Sequence, residues 1–410
     1  MAVWSPESPS SAERAAALHE KVTGRAPATV ASAPATWVLI GENVDHFGGV
    51  TVVGLSHQRV SAAVSPRPDD VLRVTVRAAG GFSLSEETAL ASLVDAPLPA
   101  PTAPLENRAL RRVAGLVQTL TSRQVLPRDT AGLDITIASD ITAGGGLGAL
   151  YAGDTALALA LADLAGADEL DEAPTRARLA EICSAAASSH SSLSILRARH
   201  TAALRGQGDS VCVIDYADGS VTHAPHPGKL GVRIFSVARS LGAPHGDQAE
   251  RITARRTFID DACTNFGVAS LRQLPNAVER VVEWVEARRE VSGPDTAPDP
   301  EKAREWVRYC ETETLRSLAA AKALRSRRSD ELFTLLNSPS EAHDIETPDD
   351  LVALALERGA VSARPAAAGM SQAVIAFVPL RGADAFLEAM GADFEVVEVS
   401  PGVVAGVDKL

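Results

Sequence analysis

The chain has little of what covalent or metal frameworks need. Its four cysteines, Cys183, Cys212, Cys263 and Cys310, are far apart, and no two have the spacing of a metal clip or a redox pair. They read as reduced, mostly buried thiols. Basic charge is in deficit. Lys and Arg number 39 against 52 Asp and Glu, a net charge of −13, and no basic run stands out. A nucleic-acid footprint is thereby excluded. No apolar run spans a bilayer: residues 156–165 are mostly apolar but too short, and Asp163 interrupts them. The first residues lack the basic-then-apolar order of a signal peptide. The expected location is cytoplasmic, with no membrane partner. What the chain does have is 410 residues with 46% apolar content, enough for two large domains with a sizeable core.

The stretch Trp37 to Val50 organises the rest. Apolar runs on either side, Trp37–Ile40 and residues 50–55, read as strands around a polar, glycine-containing loop. Glu42, Asn43, Asp45 and His46 together offer carboxylate, amide and imidazole groups, a set suited to hydroxyl-rich ligands. Gly41, Gly48 and Gly49 allow close backbone approach. A solvated hairpin connection is the plainer alternative.

Around this stretch the pattern is mixed. A helix is expected over Ser11–Thr23, and strands at 60–64, 72–76 and 82–84. Leu110, Val113, Val117 and Leu120 mark one face of a helix. Residues 133–137 alternate as a half-buried strand. Further helices are expected at 176–188, 247–266, 278–289 and 301–324, with strands at 211–215, 232–237, 373–380 and 394–399. Between the strand at 133–137 and an alanine- and leucine-rich helix ending near Leu164 lies a glycine loop containing Gly144, Gly145, Gly146, Leu147 and Gly148. A glycine loop opening a helix can hold an anion on backbone N–H groups, or it can be an ordinary tight turn.

Ala33-Pro34, then Leu39-Ile40-Gly41-Glu42, Asp45 and Gly48-Gly49, resemble the galactokinase signature. Arg255-Arg256, Ser270-Leu271-Arg272 and the helix through Arg308–Glu313 resemble the second half of that family, which belongs to the GHMP small-molecule kinases. The resemblance implies an α+β, two-domain fold, here 1–205 and 206–410, with an active-site cleft between domains. It implies a galactose-like sugar bound by Glu42, Asn43, Asp45 and His46. It also implies ATP on the glycine loop from Gly144 to Gly148, and Mg²⁺ near Asp154.

Set against the family pattern, the catalytic parts are depleted. Thr36 stands where the family has an arginine near the transferring phosphate, so charge stabilisation is lost there. No serine occurs from Asp140 through Cys183, so the hydroxyls of the phosphate loop are missing, leaving backbone N–H groups for the nucleotide. Asp154 replaces a metal-binding glutamate. Arg199 aligns with the catalytic aspartate, and no Asp or Glu lies between Ser184 and Gly208. Arginine cannot accept a proton. It can bind an anion, pair with Asp45, or lie on a helix surface. His190 and His200 flank the position and read as structural hydrogen-bonders. The third loop, Ser362–Gln372, keeps only Gly369 of an expected glycine-rich run. Three functions stay open: a sugar- or nucleotide-binding regulator without catalysis, an active kinase for the C1 hydroxyl of galactose or a related sugar, or a structural partner.

Overall fold

The computed structural model describes residues 9–94, 96–100, 103–142, 144–192, 194–239, 246–338, 345–367 and 370–409. Gly369 lies outside the described residues. Contacts divide the chain into two compact units, each discontinuous in sequence. The first comprises Met1–Thr36, Leu55–Gly208 and Ser400–Leu410; the second comprises Trp37–Gly54 and Asp209–Val399.

The first unit opens with helix α1 (Ser11–Thr23). Ser10 and Glu13 form a reciprocal capping box, and Gly24 closes the helix in the left-handed region. Strands β1 (Thr29–Ile40), β2 (Val50–Pro66), β3 (Val71–Ala78) and β4 (Ser83–Ala89) follow, then helices α2 (Leu90–Val94) and α3 (Leu105–Ser122), then β5 (Leu133–Ser139). Strand order is the C-terminal strand Gly406–Val407, then β1, β2, β5, β3, β4. β3 and β5 pair in parallel, and the other registered pairs are antiparallel. The alternation over 133–137 predicts a half-buried strand, but every residue of β5 is buried. Helix α1 covers its polar face: His19 Nδ1 lies 3.1 Å from Thr136 Oγ1. Arg25 and Arg67 donate to Asp134 at 2.8 and 3.0 Å.

Helix α4 (Ala149–Leu164) is buried almost all round, in keeping with the run of alanine and leucine from 156 to 162. Helices α5 (Ala173–His190) and α6 (Arg197–Arg205) complete the unit. Periodicity does not announce α6, because two of its buried positions are Arg199 and His200.

The second unit contains the hairpin β6 (Ser210–Asp215) and β7 (Ser220–Pro225), with residues Val50–Gly54 of β2 paired to β6. Strand β8 (Val232–Ala238) precedes helices α7 (Gly246–Phe266), α8 (Ala277–Ser292), α9 (Pro300–Arg325), α10 (Ser329–Asn337) and α11 (Asp349–Glu357). Then come β9 (Ser362–Pro365), β10 (Ala373–Pro379), α12 (Ala383–Gly391) and β11 (Glu395–Glu398). β11, β8, β10 and β9 form an antiparallel sheet in that order. The start of the expected third loop is thus a strand. One core joins Val44 and Phe47 to Phe258, Ile259, Leu271, Trp306 and Val307. Another packs Phe235, Val374 and Ala376 against Leu351, Phe386 and Met390. All four cysteines are buried, and among the described residues none forms a disulfide. Among the described residues, no helix is long and apolar enough to cross a membrane.

Three buried histidines set the acid response. His19, His200 and His226 are each held below the ordinary value of 6.5, chiefly by burial, and His226 falls to about 4. Below 6.5 the unfolded chain takes up protons that the folded chain refuses, so their contribution is complete above that pH. It is lost progressively as the pH falls toward about 4. Denaturant midpoints should therefore drop between about pH 7.5 and about pH 5.5, the range in which free histidine charges. His226→Gln should shrink the drop; equal midpoints at both pH values would contradict the assignment.

Candidate functional site

In the second unit, the loop after β1 is fixed by glycine geometry and by helices α7 and α9. Gly41 has φ 90°, and a Cβ there would lie 2.1 Å from Val50 O and 2.7 Å from Ser317 Oγ. Its N–H donates to Glu313 Oε1 at 3.3 Å, and Thr51 Oγ1 donates to its carbonyl at 2.7 Å. Glu313 is itself held by Arg316 and Arg364, both at 2.9 Å. Arg364 of the third loop is thereby committed to structure.

The four predicted sugar residues share this loop. Tyr309 donates its hydroxyl to Glu42 O at 2.9 Å, and one Glu42 carboxylate oxygen is buried. Asn43 sits at φ 58°, in the left-handed region that asparagine tolerates. Its Oδ1 accepts from Arg256 Nη2 at 3.1 Å, and the same Nη2 lies 3.5 Å from Asp45 Oδ1. His46 turns away toward α7, where Nδ1 lies 2.8 Å from Asp260 Oδ1; its Nε2 is 3.9 Å from Asp45 Oδ2. Asn43 and Arg256 are 7% and 9% exposed, so their polar atoms have little access to water. Asn43 Nδ2 and Arg256 Nε have no hydrogen-bond partner among the described residues. A buried donor without an acceptor costs about 1–3 kcal/mol. A ligand carrying hydroxyl oxygens would relieve both. Arg256 and Asp260 escape a reading that stops at the loop; the Arg255-Arg256 pair in the sequence was the available signal for the first.

In the first unit, Gly144, Gly146 and Gly148 all have positive φ, at 87°, 73° and 70°. Gly148 caps α4 without any side-chain acceptor. Arg199 is 1% exposed. Its Nη2 donates to Gly146 O at 2.9 Å, and its Nη1 donates to Thr36 O. Leu147 O accepts from Thr36 N at 3.0 Å. The two depleted positions, Thr36 and Arg199, are therefore direct neighbours. Arg199 is buried, not on a helix surface.

Asp154 lies one turn into α4, and its oxygens are engaged. Arg112 donates through Nε at 2.8 and 2.9 Å and through Nη2 at 2.5 Å. His200 Nε2 is 2.9 Å from Oδ2, and its Nδ1 is 3.0 Å from Ser184 Oγ. Burial alone would raise the Asp154 carboxyl; Arg112 and His200 overcome this and hold it below its usual range. Burial likewise keeps His200 neutral at physiological pH. Arg112 and the adjacent Arg111 are both buried in α3, and local periodicity does not tell either from a solvated arginine. Among the described residues, no cluster of three or more His, Cys, Asp or Glu could hold a metal ion. The carboxylate of Asp154 does not suit Mg²⁺: a metal would have to displace a buried ion pair, and the loop brings no hydroxyl to help.

Arg112→Leu should destabilise the protein by about 3–5 kcal/mol in urea unfolding, since it strands a buried carboxylate. Adding Asp154→Asn should restore much of that loss. A single-variant cost below about 1 kcal/mol, the worth of an exposed pair, would contradict the buried arrangement.

A model of the galactokinase galactose-binding signature matches residues 17–66. No curated protein matches the chain in sequence. Among solved structures, the chain is similar to Lactococcus lactis galactokinase complexed with galactose, at 17% identity and TM-score 0.72 over 96% of this chain and 99% of that one. It is also similar to a D-glycero-D-manno-heptose 1-phosphate kinase from Bacteriodes thetaiotaomicron, at 12% identity and TM-score 0.57, covering 93% and 99% of the two chains. The L. major mevalonate kinase in complex with R-mevalonate gives 13% identity and TM-score 0.56, covering 92% and 99%. These structural likenesses establish the fold, an α+β fold of the GHMP kinases. The chain thus joins that fold to a match, over residues 17–66, with the galactokinase galactose-binding signature.

Proposed function

We propose that this protein binds a galactose-like sugar on the loop Glu42–His46 and does not transfer phosphoryl groups, serving as a sugar-responsive regulator. The observation that carries the first half is the pair of buried, unpartnered donors, Asn43 Nδ2 and Arg256 Nε, beside Asp45. Asp45 can accept from sugar hydroxyls while the two donors supply hydrogen bonds to sugar oxygens. The second half rests on unit one. Arg199, at the position of the proton acceptor, is spent on two backbone carbonyls, and Asp154 is spent on Arg112 and His200. Loss of a general base alone typically costs on the order of 10²- to 10⁴-fold.

One contact favours a second reading. The Arg199 guanidinium lies on Thr36, so the positive charge missing from position 36 is returned nearby. A working kinase could use that charge to stabilise the transferring group.

Two measurements decide. Galactose at about 100 times its Kd should stabilise the wild-type chain by about 2.7 kcal/mol. Asp45→Ala should abolish that shift. An ADP-release assay with galactose and Mg-ATP should stay at background; sugar-dependent turnover of about 1 s⁻¹ or more would establish the kinase reading instead.

A further inference from the structure

We infer that the glycine loop of unit one is an oxyanion site that works without a divalent metal and is polarised from behind by Arg199. The direction of its peptides carries this. Gly146 O accepts from Arg199 Nη2 at 2.9 Å, and Leu147 O accepts from Thr36 N at 3.0 Å. In a trans peptide the N–H points opposite to the C=O, and among the described residues no peptide is cis. The N–H groups of Leu147 and Gly148 therefore face away from Arg199 and β1, and among the described residues neither has an acceptor. Ala149 and Leu150 come next, in the first turn of α4, where an N–H has no intrahelical partner. Backbone N–H groups in succession at the positive end of a helix dipole are what an oxyanion requires.

Arg199 is the second, independent observation. It is 1% exposed and lies on the oxygen side of the Gly146–Leu147 peptide, and its Nη1 also donates to Thr36 O. The carbonyls orient the guanidinium but bring no formal charge to cancel it. A cation on the oxygen of a peptide strengthens the N–H on the far side as a donor, and its field in a poorly solvated place favours an anion there. Arg199 reaches a ligand only through the backbone, so it is a positioning residue. The family fold implies ATP with Mg²⁺ here. The phosphates suit the loop. The metal does not suit Asp154, both of whose oxygens accept from Arg112, with Oδ2 also 2.9 Å from His200 Nε2. Nor does the Tyr151 hydroxyl stand open, since it accepts from Leu196 N at 3.0 Å. A bound metal supplies positive charge to phosphate oxygens; here a permanent cation is built into the fold. The ligand class is the phosphate end of a nucleotide, or a free polyphosphate, in its metal-free form.

The test is calorimetric titration of the full chain with ADP, once in EDTA and once in excess Mg²⁺. ADP should bind saturably in EDTA with a Kd at or below about 1 mM, the weak end of ordinary enzyme affinities, and Mg²⁺ should not tighten it. Inorganic pyrophosphate should displace ADP: equal affinity assigns the site to free polyphosphate, and tighter ADP assigns it to a nucleotide. ADP that pyrophosphate cannot displace is held by its base, which overturns the inference. Arg199→Met keeps the stem without the charge and should weaken binding about tenfold. Arg199→Lys should recover part of that loss, which a packing role would not do. Binding seen only with Mg²⁺ overturns the inference, as does no saturable binding in EDTA, or a folded Arg199→Met chain of unchanged affinity. Should Arg199→Met fail to fold, the wild-type comparison of EDTA with Mg²⁺ still decides. Stabilisation by galactose is read separately, so failure of either reading leaves the other in place.

Discussion

The buried ion pair of Arg112 and Asp154 is the constraint on which the first unit depends. It sits at a node of four helices. Arg112 comes from α3, Asp154 from α4, Ser184 from α5 and His200 from α6, all joined by hydrogen bonds. Cys183 Sγ adds a weak donor to Asp154 O at 3.8 Å. Such a pair contributes little net stability once desolvation is counted, but breaking one partner is costly, so the node enforces one arrangement. Its reach extends to the glycine loop. With His200 pinned to Asp154, the rotation of α6 is set, and the residue before it, Arg199, is carried to Thr36 and Gly146.

The second unit is built on the opposite logic. Around Asn43 and Asp45, donors are buried without acceptors, and glycines hold the backbone where a side chain could not fit. Polar capacity is kept in reserve there, whereas in the first unit it is consumed internally. A protein selected only for stability would have no reason to leave Asn43 Nδ2 and Arg256 Nε unsatisfied.

Much of this was legible in the sequence. Helix α1, the alanine- and leucine-rich helix α4 and strands β8, β10 and β11 follow from periodicity and punctuation. The signature loop announced itself through its glycines and carboxylates. What periodicity hid was polar burial. Helix α6 was missed because Arg199 and His200 occupy inward positions, and β5 was taken as half-buried because nothing local shows that His19 and two arginines cover its polar face. The partners of Asp154 and Asn43, 42 and 213 residues distant, are long-range facts that local pattern cannot supply.

The eleven residues Ser400–Leu410 belong to the first unit, although 191 residues of the second unit precede them. They are stitched in firmly. Val407 and Gly406 pair with Ala31 and Ser32, Asp408 N donates to Val30 O, and Arg176 donates to Ala405 O. On the ribosome, therefore, the early half of the chain cannot complete its sheet when it emerges. Its edge at β1 waits, unpaired, through synthesis of Asp209–Val399, and an open strand edge is a template for wrong partners. The first unit therefore closes only after the second has been made, and this segment acts as its latch.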